Sequence, residues 1–215
     1  MLVDIHTHSP SKEKICIKYI RNLSTHKDFY FSTGIHPWDA HLFDNTDIEQ
    51  ILNPIISHPN FTMLSDIGID LVKKDNLDSQ RTVFRQQLEY AKKKNLKIIL
   101  IHSVRAFNEV LKILKETGYD GSIIFHDANF NLTETEQIIK LGYFLSFGKN
   151  LFKENSKASQ TIHTKWLDHY FFETDESSKS IAEVYQQASS AMDTSVTMLE
   201  QRILKNFHKL PLKMI

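Results

Sequence analysis

Two histidines two residues apart, His6 and His8, open a chain in which three further histidines and two aspartates stand at the ends of short apolar runs. Residues i and i+2 of an extended strand share a face, so a His-x-His pair can offer two imidazoles to one metal ion. His102 follows Ile98-Ile-Leu-Ile101, and His126 follows Ser122-Ile-Ile-Phe125. Asp66 ends Phe61-Thr-Met-Leu-Ser65, Asp175 ends Tyr170-Phe-Phe-Glu-Thr174, and His36 ends Phe31-Ser-Thr-Gly-Ile35. Taken singly, each has an ordinary use: a histidine after a strand bonds a carbonyl, and an aspartate caps a helix. The repetition of one position points instead to a shared site. Imidazole with carboxylate suits Zn²⁺ or Mn²⁺ better than Mg²⁺, which prefers oxygen and keeps its waters. Such an ion lowers the pKa of water toward about 7, which is hydrolytic chemistry, with Asp175 as the candidate base. His26, His41, His58, His163, His169 and His208 do not follow apolar runs in this phase and are read as structural.

The elements that must position these residues read as eight strands: Leu2–His6, Lys14–Arg21, Asp28–Ile35, Phe61–Ile67, Leu96–Ile101, Ser122–Phe125, Tyr143–Phe147 and His169–Thr174. Thr46-Asp-Ile-Glu49 and Thr133-Glu-Thr-Glu136 read as capping boxes that open helices. Helical periodicity runs over 80–94 and 106–116, and two amphipathic helices close the chain at about 179–191 and 195–208. Strands alternating with helices predict an α/β fold, a compact (β/α)₈ barrel forming a single domain over residues 1–215. In such a barrel, the imidazoles of His6, His8, His102 and His126 and the carboxylates of Asp66 and Asp175 converge at the C-terminal rim, with His36 beside them. Only about seven residues separate the first strand from the second, and about six the second from the third, whereas parallel crossovers usually take a dozen or more. The second strand is therefore expected to run antiparallel, with the first outer helices missing.

Composition narrows the function classes. Lys plus Arg and Asp plus Glu both number 26, so no global basic field holds nucleic acid. One cysteine, Cys16, excludes an internal disulfide framework or a Cys-rich zinc module. No apolar run is long enough to span a bilayer, and the N-terminus lacks a signal-peptide pattern. A cytoplasmic protein, with no membrane association and no obligate protein partner, is expected.

Asp4-Ile-His6-Thr-His8, Thr33-Gly-Ile-His36-Pro37-Trp38, Ser65-Asp66-Ile-Gly-Ile-Asp70, Tyr143-Phe-Leu-Ser-Phe-Gly148, Glu173-Thr-Asp175 and Asn206-Phe-His-Lys-Leu210 resemble, in order, motifs of the TatD family of metal-dependent hydrolases. The resemblance implies one or two divalent ions, Zn²⁺ or Mn²⁺ before Mg²⁺, held by His6, His8, Asp66, His102, His126 and Asp175. It implies a phosphodiesterase, most plausibly a nuclease trimming DNA or RNA ends, with His36 and Arg105 facing the substrate. Departures are clear. Asp66 replaces the family's bridging Glu, shortening its reach by roughly 1.5 Å, and Val104 replaces the family's arginine, with Arg105 next to it. Asp127 and Glu176 add negative charge, which with the neutral pI favours the alternative of an amide or ester hydrolase of a small molecule; a binding protein with a degenerate metal site is a further alternative. Lys149, Lys153, Lys157 and Lys165 follow the seventh strand, where an ordinary solvated loop is the expectation.

Overall fold

The computed structural model describes residues 1–10, 15–20 and 29–212. Eight strands alternate with seven α-helices and several 3₁₀ segments among these residues. The strands are β1 (Val3–Thr7), β2 (Ile15–Tyr19), β3 (Phe31–Thr33), β4 (Phe61–Asp70), β5 (Ile98–Val104), β6 (Ser122–Phe125), β7 (Phe144–Phe147) and β8 (Tyr170–Phe172). The helices are α1 (Ile48–Ile56), α2 (Leu77–Lys93), α3 (Phe107–Thr117), α4 (Leu132–Lys140), α5 (Lys157–Thr161), α6 (Ile181–Ala191) and α7 (Val196–Lys209). Strand order follows the chain from β1 to β8. The chain forms two compact units, one of Met1–Lys18 with Ile124–Pro211, the other centred on Tyr19–Ile123.

In the first unit β1 pairs in parallel with β2, and β7 with both β6 and β8. A parallel bridge from Thr7 to Asp175 brings the first strand beside the residues that follow the last. In the second unit β4 pairs in parallel with β3 and β5. Ile98, Ile99, Leu100 and Ile101 of β5 are all buried, as a strand covered on both faces requires.

The antiparallel second strand is thus corrected: Val3 pairs with Ile15 and Asp4 with Cys16 in parallel register. A five-residue strand is about 16 Å long, and the seven residues 8–14 can extend over about 23–25 Å. That length returns the chain to the foot of β2; the longer crossovers accommodate a helix. Residues 11–14 and 21–28 lie outside the described residues, so the expectation of missing first helices falls largely on them. The helix openings are corrected too. Asp47 rather than Thr46 caps α1, its side chain accepting from the Glu49 N–H at 3.0 Å. The second capping box is Asn131 with Glu134, not Thr133 with Glu136.

Two buried glutamines of α2, seven residues apart and hence on one helix face, hold the strand ends that carry the polar residues. Gln87 accepts from the Ile35 N–H at 2.7 Å and donates to the Ile35 carbonyl at 3.1 Å, next to His36. Gln80 accepts from the Asp70 N–H at 2.8 Å and donates to the Lys73 carbonyl at 2.6 Å. Gln87→Leu strands one buried donor and one buried acceptor, each costing about 1–3 kcal/mol. A loss of about 2–4 kcal/mol in urea unfolding is expected; a loss below about 0.5 kcal/mol would show that Ile35 finds other partners. No helix of the described residues is long and apolar enough to cross a membrane.

Candidate metal centre

In the first unit, His6 and His8 leave β1 on one face, and backbone bonds align Asp175 with them. The Asp175 N–H donates to the His6 carbonyl at 3.0 Å, and the His8 N–H to the Asp175 carbonyl at 3.1 Å. Asp175 turns there with a left-handed φ of 51°, a conformation aspartate adopts more readily than most residues. Its Oδ1 lies 3.6 Å from His6 Nε2 and 3.5 Å from His8 Nε2. His6, His8 and Asp175 offer ligand atoms within 4.8 Å of one another, a donor set that could hold an ion. His126, after β6, stands with its ring centroid 5.0 Å from that of His6.

Carboxylates behind these candidate ligands orient them. Glu173, fully buried, faces His126 Nδ1 at 3.3 Å and accepts from the Asp127 N–H at 2.6 Å. A Nδ1–H bonded in this way leaves Nε2 as the lone-pair nitrogen. Asp4 accepts from the Thr174 N–H at 3.0 Å and from its hydroxyl at 2.7 Å. Burial outweighs these bonds and pushes the Asp4 carboxyl up to about 7. Asp175 goes the other way. Burial would raise it, but the His6 hydrogen bond and the charges of His126, His6 and Lys149 hold it well below the usual carboxylate range.

Lys149 is the one member of the lysine run drawn into this cluster. Its Nζ lies 2.7 Å from Asp175 Oδ2 and 3.4 Å from Asp127 Oδ2. Burial would lower its pKa, but the two carboxylates raise it above the ordinary lysine value. Asp127 is further fixed by Asn150 Nδ2 at 2.8 Å. The negative charge of Asp127 is therefore balanced from within, while Glu176, 71% exposed, stands 3.7 Å from His8 Nδ1. Lys157 and Lys165 pair instead with Glu134 and Glu136, and Lys153 donates to Asn150 Oδ1.

The second unit gathers His36, Asp66 and His102, again with ligand atoms within 4.8 Å. Between the pairs Leu64–Ile99 and Ile67–Ile101, β4 spends one residue more than β5. This bulge, with Asp66 at φ 59°, re-aims the aspartate, the usual effect of an extra residue in a strand. Gly68 makes the close pairing possible, since a Cβ there would lie 2.0 Å from the His102 carbonyl oxygen. His102 Nδ1 faces Asp66 Oδ1 at 4.0 Å, and its Nε2 faces Asp70 Oδ2 at 3.4 Å. Asp70 also accepts from Trp38 Nε1–H at 2.7 Å and from the Val72 N–H at 2.8 Å. Burial would raise the Asp70 carboxyl, yet its bonds with His102, Trp38 and Val72 hold it at about 2.

His36 is committed differently. Its Nδ1 accepts from the Trp38 N–H at 3.1 Å, capping the 3₁₀ segment 37–43, so in the neutral ring Nε2 carries the proton. It can donate toward a ligand but has no lone pair on that nitrogen for an ion. Arg105 lies exposed just beyond β5 with φ 55°.

Of the residues read from the sequence, His6, His8, His126 and Asp175 come together in one unit, and Asp66, His102 and His36 in the other. Sequence reasoning missed the roles of Glu173 and Asp70 behind the imidazoles, and of Lys149 between two carboxylates. Glu173 sits two residues before Asp175 and Asp70 four after Asp66, spacings that could have flagged them as strand-end carboxylates. Three of the remaining histidines do structural work: His58 and His163 accept backbone N–H groups at turns, and His169 bonds the Tyr143 carbonyl. His26 lies outside the described residues.

Glu173→Gln keeps the shape but replaces a charged acceptor of the His126 Nδ1–H with a neutral one. Removing such an orienting carboxylate typically costs 10–100-fold in metal affinity. A loss of about that size in Zn²⁺ affinity, with an unchanged melting temperature of the chelated protein, is the expected result. Unchanged affinity would remove Glu173 from the centre.

The chain is 32% identical over 149 residues to YabD of Bacillus subtilis, named a metal-dependent hydrolase, covering 68% of this chain and 58% of that protein. It is 23% identical over 153 residues to the metal-dependent hydrolase TatD of Mycobacterium tuberculosis, covering 68% and 57%. These alignments span less than two thirds of the curated relatives' length. Among solved structures, YJJV, a TatD homologue from Escherichia coli K12, superposes with a TM-score of 0.83 at 19% identity over 97% of both chains. A TatD family hydrolase from Entamoeba histolytica gives 0.78 at 13% identity, also over 97% of both. At such identities the likeness shows the fold, the parallel eight-stranded (β/α)₈ type. The profile of the family described as TatD related DNase matches residues 3–210, and the chain belongs to that family.

Proposed function

We propose that this protein is a divalent-metal-dependent hydrolase of phosphodiester bonds, acting on the ends of DNA or RNA. The observation that carries it is the pair of ligand groups, His6–His8–Asp175 and Asp66–His102 with His36, each at the C-terminal ends of its own unit's strands. The name of the matching family, TatD related DNase, supports the nucleic-acid substrate. Two imidazoles and an ionised carboxylate within 4.8 Å fit a divalent cation, Zn²⁺ or Mn²⁺ before Mg²⁺. Bound there, an ion supplies a Lewis acid and brings the pKa of water near neutrality.

The chain's own groups do the rest. Asp175 is held as a carboxylate by His6 and Lys149, so it can take a proton at Oδ1 while Lys149 occupies Oδ2. Lys149, between Asp127 and Asp175, keeps local negative charge from opposing an anionic substrate. Glu173 and Asp70 fix the rings of His126 and His102. His36 Nε2–H donates toward a phosphate oxygen, and the Arg105 guanidinium supplies positive charge beyond β5. The alternative of a small-molecule amide or ester hydrolase drew on the charges of Asp127 and Glu176. Balancing of Asp127 by Lys149 removes most of that support.

The test is turnover of a single-stranded oligonucleotide and of a generic carboxylic ester by the Mn²⁺- or Zn²⁺-loaded protein, with His6→Ala as control. Cleavage of the oligonucleotide from one end, lost in His6→Ala, is expected. Ester turnover without nucleic-acid cleavage would transfer the reading to the alternative.

A further inference from the structure

Beside the second ligand group, the surface carries an aromatic ring that packing does not explain. Trp38 is 48% exposed, and Val72, near it through Asp70, is 61% exposed. Exposed apolar side chains are ordinary singly; what sets Trp38 apart is that its exposed ring is held in one orientation beside the ligand group. The indole is not loose. Its Nε1–H is anchored on Asp70, its backbone N–H on His36 and its carbonyl on Asn76 Nδ2 at 3.2 Å. The His36 ring stands edge-on to it at 5.0 Å, and Lys73 Nζ lies over the ring, 5.5 Å from its centroid, so a base would stack on the opposite face.

Positive charge accompanies the ring. The Leu71 N–H donates to the Val104 carbonyl at 3.0 Å, which ties the segment carrying Val72 and Lys73 to the residue before Arg105. Arg105 makes no side-chain hydrogen bond or ion pair among the described residues and is exposed. The carboxylate nearest the ring, Asp70, is already engaged by Trp38, Val72 and His102. An oriented indole with a lysine ammonium over it, and an exposed guanidinium on the chain segment tied to that lysine's own segment, complements a ligand that is both aromatic and anionic.

We infer that Trp38 is the stacking platform for the terminal nucleobase of a single-stranded nucleic acid, with Arg105 and Lys73 taking the adjoining phosphate charge. The inference rests on the phosphodiesterase reading and adds the subsite that receives the base. Stacking is indifferent to sequence because every base has a π-face, so the platform favours single strands without choosing among bases. The indole that receives the base also donates to Asp70, which faces His102, so an occupied platform is joined by hydrogen bonds to the ligand group.

The experiment uses the full chain with Trp166→Phe, which leaves Trp38 as the sole indole, since the sequence contains two tryptophans. Metal is chelated to prevent turnover, and tryptophan emission is titrated with a DNA pentamer and with the same pentamer carrying abasic nucleotides at both ends. Saturable quenching by the intact strand is expected, with the abasic strand binding roughly 5–100-fold more weakly. In the Trp38→Ala protein, followed by anisotropy of labelled strands, that ratio should fall to near one; Trp38→Phe should restore most of it. Equal binding of the two strands by the unaltered protein, or no binding of either, overturns the platform. Cleavage of the abasic strand by the metal-loaded protein reads the phosphodiester reaction alone. Cleavage without base discrimination therefore sinks the platform and spares the activity, whereas discrimination without cleavage does the reverse.

Discussion

Replacing Asp175 with asparagine is expected to lower oligonucleotide turnover by roughly 10²–10⁴-fold, the range a positioned proton acceptor contributes. Asparagine is the informative choice because it adopts left-handed backbone at least as readily as aspartate, and φ at this position is 51°. The backbone bonds from Asp175 to His6 and from His8 to Asp175 can then persist, so the change is one of charge. Both roles given to this carboxylate, accepting a proton at Oδ1 and completing the donor set with His6 and His8, need the anion. Lys149→Met gives the contrasting result. It removes the cation lying 2.7 Å from Asp175 and 3.4 Å from Asp127, leaving two carboxylates facing each other. Divalent-metal affinity should rise severalfold, because a competing internal cation is gone, while affinity for an anionic substrate should fall. Turnover by Asp175→Asn within fivefold of the unaltered protein would remove Asp175 from the reaction. Weaker metal binding by Lys149→Met would mean that Lys149 builds the centre instead of opposing charge within it.

Metal titration is expected to show two unequal equivalents, separated by about 100-fold or more in affinity. His6, His8 and Asp175 present three donors, with the carboxylate ionised throughout the neutral range. The second group presents fewer. His36 Nδ1 is taken up by the Trp38 N–H, leaving Asp66 and His102. Asp66 is also one methylene, about 1.5 Å, shorter than the glutamate of the family pattern. His8→Ala should therefore abolish the tight equivalent, His102→Ala only the weak one, and His163→Ala neither. The tight equivalent should be visible in stability as well. An ion at 100 times its dissociation constant adds about 2.7 kcal/mol, so chelation should lower the melting temperature and Zn²⁺ or Mn²⁺ restore it. Two equivalents of equal affinity would show that Asp66 serves as well as glutamate. An unchanged melting curve after proven metal removal would count against both sites.

The positions of the candidate ligands were legible because they depend on short-range rules. His102 follows four apolar residues and His126 three, and His6 and His8 share a strand face because side chains alternate with period two. Those regularities come from covalent geometry and survive any arrangement of the surrounding chain. Helix existence was legible on the same grounds, as α2, α3, α6 and α7 show, although α1 and α4 took Asp47 and Asn131 as caps. Several residues nearby in the sequence could supply that cap, and the docked helix selects one.

The direction of β2 lay beyond the pattern, because chain length sets what a connection can reach and not which way the strand then pairs. Tertiary structure alone decided the rest of each ligand group. The bulge that turns Asp66 exists because β4 pairs with β5 in one particular register, a relation between residues some thirty-five apart. Glu173 serves His126, Asp70 serves His102, and Lys149 cancels Asp127 because strands distant in sequence end side by side. Asp127 read in isolation is a charge that repels phosphate, and read beside Lys149 it is half of an ion pair. Electrostatic interaction depends on distance through space, which the linear order of residues does not specify until the fold has formed.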